Sequence, residues 1–317
     1  MRDGSPVLYE VVDRVARITL NRPERGNGIT RELIDQLVAC VQRADPDPSV
    51  HVLVLSGAGS GFCGGYDLVE SAEGIGGERA SAGDAESRGG DAEREAAPAG
   101  SPLDPSVMAA NHDPRRTWDP MIDYAMMSRN VQGFMALMQC GKPVICSVHG
   151  FCVAGGTDMA LCSDLLVIAE DAKIGYPPAR VWGSPTTALW AQRIGAQRAK
   201  RLLFTGDSLS GSEAVEWGLA IEAPPAERLA ERTEALAQRI AQMPVNQLMM
   251  MKLLINETTH APGLHASQVL GTVFDGIARH TAEGYAFQQD AAARGFREAV
   301  RARDEPFGDA GRSTFKG

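Results

Sequence analysis

KPVICSVHGFCVAGGTDMALCSDLLVIA, residues 142–169, contains two short apolar runs separated by a glycine-rich turn and a short helical stretch. PVICSV (143–148) reads as a strand ending at His149-Gly150, and DLLVIA (164–169) as a second strand running into a charged turn. Between them, GFCVAGG (150–156) leads into a helix over Thr157–Cys162. Strand, glycine loop, helix and strand in that order indicate an α/β arrangement. Glycine lets backbone approach a ligand closely, and a helix N-terminus offers unpaired N–H groups with a favourable dipole.

Working outward, HVLVL (51–55) is a β-branched run that enters a second glycine loop, GAGSGFCGGYD (57–67). The first segment reads as a strand pair, Leu8–Val12 and Val15–Leu20. Thr30 can cap a helix with Glu32 in its first turn, and Leu33, Leu37 and Val41 follow at helical spacing. Downstream, Ser210-Gly-Ser-Glu213 is a capping-box signature for a helix that stops at Gly218. Glu227–Ile240 and Val245–Ile255 read as helices, and a helical tail from about Gly263 carries Phe274, Ile277, Tyr285 and Phe287. Apolar surface of that kind packs on its own core or on another subunit.

Between Ser71 and Gly100 the only large apolar residue is Ile75. Such a stretch cannot bury enough surface to offset its ordering entropy, so a mobile insertion is expected over about 70–117, with order resuming near Trp118. Met121–Met138 then reads as a Met-rich helix. The expected division is a core over 1–255 that carries the insertion, and a helical C-terminal region over 256–317. There is no internal repeat.

A net charge of −9 argues against a nucleic-acid partner, which needs a cationic face to neutralise phosphates. No run approaches the roughly 20 apolar residues of a membrane span, and MRDGSPVLYE (1–10) lacks a secretory apolar stretch, so the expectation is a cytoplasmic protein without membrane insertion. Cys40, Cys63, Cys140, Cys146, Cys152 and Cys162 form no CxxC pair and read as small buried hydrophobes. A reactive thiol is least remote at Cys63, on its glycine loop.

Gly59-x-Gly61-x-x-Gly64 matches the dinucleotide fingerprint by letter, but no helix opens at Gly64 and no well-placed strand-end acid follows. A Rossmann site is rejected. A nucleophile elbow and metal-ligand spacing of His and Cys are both absent. Two glycine loops after two strands can instead aim two N–H groups at one oxygen, the geometry that a thioester enolate needs. Taken alone, both loops also read as plain turns needing positive φ.

Four segments occur in order: ITLNRPERGNGI (18–29), VLVLSGAGSGFCGGYDL (52–68), residues 142–169, and RLLFTGDSLSGSEAVEWGLA (201–220). Together they resemble the crotonase, or enoyl-CoA hydratase/isomerase, superfamily from about Leu8 to Asp309. The resemblance implies an α/β fold, the crotonase-type spiral of ββα repeats followed by a helical C-terminal region. It also implies an acyl-CoA thioester as substrate, no cofactor beyond its coenzyme A moiety, a place in fatty acid or lipid metabolism, and a homotrimer or hexamer.

By the same resemblance, the oxyanion-hole N–H groups fall on Tyr66, in Phe62-Cys-Gly-Gly-Tyr-Asp67, and on Gly155. Alanine is more usual at position 66. Coenzyme A would lie along Arg25, Gly26, Asn27 and Gly28, with Gly64 and Asp67 beside them, and Arg25 pairing with a phosphate. The acid/base pattern departs from a typical hydratase. Asp158 stands where the first Glu is expected, and in Gly175-Tyr-Pro-Pro178 a proline occupies the place of the second.

Proline cannot transfer a proton, which leaves Asp158 as the single acid/base candidate. Isomerisation of a double bond needs one carboxylate; hydration is served better by two. An Asp near a helix N-terminus is also a common dipole partner. Tyr176, Pro178, Arg180 and Trp182 are expected to line the acyl pocket, His149 to be structural, and His112 and Tyr124 to reach over the pocket. Hydrolysis, C–C cleavage or ring formation on a bulky acyl group, and acyl-CoA binding without chemistry, are the alternatives.

Overall fold

In the computed structural model, residues 4–67, 95–260 and 263–309 are described. Strands β1 (Val7–Val12), β2 (Val15–Leu20), β3 (Val52–Gly57), β4 (Val144–Val148) and β6 (Leu165–Ile168) form one sheet in the order β1-β2-β3-β4-β6. The β1–β2 hairpin is antiparallel and the remaining pairs are parallel. A second sheet runs β5 (Phe151–Val153), β7 (Lys173–Gly175), β8 (Ser208–Ser210). Parallel strands covered on both faces read as continuous apolar runs, and β4 is buried at every position.

Helix α1 (Arg31–Ala44) starts as its sequence indicates: the Thr30 side chain accepts from Leu33 N–H, a cap worth about 1 kcal/mol. Its Leu33, Ile34, Leu37 and Val41 are buried, each such side chain contributing roughly 1.5–3 kcal/mol. Helices α2 (Pro105–Asn111), α3 (Pro120–Gln139) and α4 (Gly155–Leu161) follow, then α5 (Trp190–Ile194), α6 (Ala196–Thr205) and α7 (Gly211–Glu216). Helix α7 opens on the expected capping box, with Ser210 and Glu213 bonding reciprocally. Five helices close the described chain: α8 (Leu229–Ala241), α9 (Val245–His260), α10 (Leu264–Arg279), α11 (Ala282–Arg294) and α12 (Phe296–Asp304). Helix α9 runs through the boundary expected at residue 255.

Residues 70–94 of the expected mobile segment lie outside the described residues. Order does not wait for Trp118, however. The Asp104 side chain caps α2 through Ser106 N–H, Pro105 occupies its first turn, and Val107 is buried. That is sufficient local signal to hold a two-turn helix. Among the described residues no helix is long and apolar enough to cross a membrane.

Candidate active site

The two glycine loops meet because their backbones are zipped together. Phe62 N–H and Cys63 N–H both donate to Phe151 O, at 2.9 and 3.1 Å, and Val153 N–H donates to Cys63 O at 3.0 Å. Ala154 then turns the chain at φ 54° and ψ −130°, a sparsely populated conformation for a residue with a side chain. Gly155 opens α4, so its N–H lies in the first turn, where no helical acceptor exists. Tyr66 pairs with Ile29 in a single parallel bridge, flanked by Ile29 N–H donating to Gly65 O and Asp67 N–H to Ile29 O. Neither the Tyr66 nor the Gly155 N–H reaches an acceptor among the described residues.

The Tyr66 ring lies over Gly155: a side chain begun there would stand 2.8 Å from a ring carbon. Only glycine at 155 leaves that space, so the tyrosine at 66 and the glycine at 155 fit as a pair.

Asp158, in the first turn of α4, is fully buried. Its Oδ1 accepts from Thr187 N–H at 3.0 Å and from the Thr187 hydroxyl at 2.6 Å. Its Oδ2 has no hydrogen-bond partner among the described residues. Burial pushes the carboxyl up to about 7, the Thr187 bonds pull it back, and the charge of Asp275 adds to the rise. An acid titrating near neutrality with one free oxygen is suited to moving a proton. The buried Tyr66 hydroxyl approaches the Asn130 side chain without reaching hydrogen-bonding geometry. Tyr176 is buried as well, its hydroxyl donating to Ser184 O at 2.9 Å.

The loop expected to hold coenzyme A is a 3-10 turn, Pro23–Arg25, closed by Gly26 at φ 59°. Asn27 needs a correction. It is fully buried, and its amide donates to Ala58 O, Gly61 O and Phe62 O while accepting from Arg22 N–H. Its side chain is a clamp between this loop and the first glycine loop, and leaves no group for a ligand. Arg25 forms a two-pronged pair with Asp67 at 2.8 and 3.1 Å, joined by Arg22 at 3.0 Å. Gly26 O accepts from Gly64 N–H, and Gly28 packs on Asp67. These six residues are therefore contiguous.

Arg180 needs a second correction. Its side chain is 1% exposed and pairs with Asp207, Asp304 and Asp309 at 3.1, 3.0 and 2.9 Å. Arg201 and Arg303 complete the cluster, which ties the 176–180 turn to α12 instead of lining a pocket. Trp182 packs on Phe287, with ring centroids 5.6 Å apart. Pro178 stands in a second 3-10 turn, Pro177–Arg180.

His149 bonds Gly59 O at 2.8 Å and braces the glycine loop, as expected of a structural histidine. Tyr124 is half-buried on α3. Cys63 is buried and its thiol is pushed up to about 12, which opposes nucleophilic chemistry.

Spacing could not reveal a cluster at the far side of the site. His112, Asp123 and His280 bring ligand-type atoms within 4.8 Å of one another. Asp123 Oδ2 already accepts from Trp118 Nε1 at 2.6 Å and pairs with His280 Nε2 at 3.0 Å, while Arg279 lies 3.4 Å from Oδ1. A resident guanidinium and a carboxylate oxygen already engaged make this a hydrogen-bonded wall, not a metal centre. Burial pulls His112 down to about 4, so it is neutral there.

Comparison with known proteins agrees with this geometry. The family model described as Enoyl-CoA hydratase/isomerase matches residues 10–88 and 107–287. A crystal structure of an enoyl-CoA hydratase from Mycobacterium smegmatis is 53% identical, with TM-score 0.86, covering 98% of this chain and 96% of that one. The Mycobacterium tuberculosis protein named "Probable enoyl-CoA hydratase EchA14" is 32% identical over 228 residues, 70% of each chain. The 1,2-epoxyphenylacetyl-CoA isomerase of Escherichia coli is 29% identical over 253 residues, 79% of this chain and 81% of that one. The chain belongs to the enoyl-CoA hydratase/isomerase family, and it is an enzyme of the hydratase/isomerase type. The fold is the crotonase spiral with a helical C-terminal region.

Proposed function

We propose that the Tyr66 and Gly155 N–H groups hold the thioester oxygen of an acyl-CoA as an enolate, while Asp158 moves the proton. One observation carries the reading: two backbone donors without an acceptor stand on zipped loops beside a buried carboxylate with one free oxygen. A backbone hole is preorganised and needs no side-chain motion as charge develops. Removing such a donor elsewhere costs roughly 10²–10³ in rate, which sets the scale of the contribution expected here. The coenzyme A moiety lies along Arg25–Gly28 with Gly64 and Asp67, where Asn27 contributes backbone only, and no further cofactor enters.

Asp158→Asn keeps the Thr187 hydrogen bonds and removes the titrating oxygen. The expected outcome is a kcat lower by about 10²–10⁴ with KM little changed, on trans-2-enoyl-CoA and 3-enoyl-CoA substrates. As the base for isomerisation Asp158 must be ionised, so the wild-type rate rises through about pH 7. If wild type and variant turn over both substrates at one rate, the role of Asp158 is lost. If neither is turned over, the enolate reading is lost with it.

The reading also supports assembly as a homotrimer or hexamer acting in cytoplasmic lipid metabolism. Met250, Met251, Leu253, Leu254 and Ile255 on α9, with Leu270, Phe274 and Ile277 on α10, are exposed apolar residues of the kind an intersubunit face buries.

A further inference from the structure

The carboxylate missing at position 178 has a neighbour that the local sequence does not announce. A side chain begun at Gly183 would meet Pro178 Cβ at 3.4 Å, Asp275 Oδ1 at 3.6 Å and the Tyr176 hydroxyl at 3.6 Å. Asp275 therefore crowds the same point as the proline. It comes from α10, whose packing fixes it: Gly271 lies against Pro185 and Thr186, and Gln268 donates to Thr187 O at 3.4 Å. The loop that α10 grips is the one whose Thr187 holds Asp158.

The carboxylate is buried, and Ser184 N–H donates to its Oδ1 at 3.3 Å while Arg279 pairs with its Oδ2 at 3.1 Å. Burial pushes Asp275 up, Arg279 pulls it back, and Asp123 raises it further. Tyr66 and Tyr176 each feel both Asp158 and Asp275, so the two carboxylates and the two phenols form one cluster.

We propose that Asp275 is the second acid/base of this site, supplied by the C-terminal region in place of the group that Pro178 removes. The inference rests on the enolate reading above. In hydration, the water oxygen bonds to the β-carbon as Asp275 takes its proton. The C=C electron pair moves through the α-carbon onto the thioester oxygen, held by Tyr66 and Gly155. Asp158, as the carboxylic acid, then gives its proton to the α-carbon and the enolate returns to a thioester. One water is added, and exchange with solvent moves the proton gained by Asp275 to replace the one that Asp158 spent.

Two reactions separate the roles. Exchange of the α-hydrogens of butyryl-CoA in deuterium oxide needs Asp158 and the oxyanion hole alone; hydration of crotonyl-CoA and cinnamoyl-CoA needs both carboxylates. Asp275→Asn, which keeps an acceptor for Ser184, is expected to lower hydration by about 10²–10⁴ while exchange persists, its pH profile moved to lower pH because the charge of Asp275 no longer raises Asp158. Asp275→Glu keeps the charge and is expected to recover part of the hydration. The proposal is overturned if Asp275→Asn hydrates at the wild-type rate, or if the wild type exchanges without hydrating either substrate. It is also overturned if both variants lose exchange and hydration together with thermal stability, since Asp275 would then be scaffold. Absence of exchange in the wild type removes the enolate reading itself, and this proposal with it.

Discussion

Two proline turns in this molecule share a plan and differ in burial. Pro23–Arg25 and Pro177–Arg180 are both 3-10 turns, begun by proline and ended by an arginine that pairs with aspartate. In the first, Arg25 is 33% exposed on its side chain and shares Asp67 with Arg22. In the second, Arg180 is 1% exposed and pairs with three aspartates. A partly hydrated pair can be opened for a ligand at small cost, whereas a buried one is fixed, because stripping one partner leaves uncompensated charge. The first turn therefore suits the binding role proposed for it better than the second, which ties the 176–180 turn to α12.

The largest effect should come from the buried turn. Arg180→Met removes the guanidinium that Asp207, Asp304 and Asp309 share, and should cost about 3–5 kcal/mol of stability. Denaturant unfolding reads it, and a loss under 1 kcal/mol would erase the contrast between the turns. A smaller effect is expected from pH, again on the buried side. Asp158 binds its proton more tightly folded, about 7, than at its usual 3.8, so its contribution to stability falls as pH rises between those values.

Asp158→Asn should therefore gain thermal stability over the wild type progressively from about pH 4 to 7 and no further above it, by at most about 1.4 kcal/mol per unit. A difference in Tm that is flat with pH would show that Asp158 is not held as described. The smallest effect belongs to the exposed turn. Arg25→Ala should change stability by less than about 1 kcal/mol while raising KM for acyl-CoA with kcat unchanged. If KM stays constant as well, coenzyme A does not lie on this turn.

Sequence carried the first half of the site better than the second. The strand pair, the Thr30 cap, the Ser210 capping box and both glycine loops are local signals, and each appears where its residues place it. The β5 strand is hidden within the glycine loop because three residues give no periodicity. Helix α2 was legible in Asp104-Pro105 but was submerged in its polar neighbourhood. Asn27 and Arg180 looked like ligand-facing loop residues, and only tertiary partners show where their polar groups are used. Asp275 and the His112–Asp123–His280 cluster join residues far apart in the chain, so no spacing rule reaches them.

The buried thiols have a consequence for how the protein meets its chemical surroundings. All six cysteines are buried, and burial raises Cys63, on the first glycine loop, to about 12, with Cys40 at about 11. Oxidants and alkylating agents attack the thiolate, which such groups hardly form at neutral pH. Cys63 also donates to Asn27 O, within the clamp that sets the loop. Thiols buried and held protonated in this way offer little thiolate for peroxide or disulfide exchange to act on.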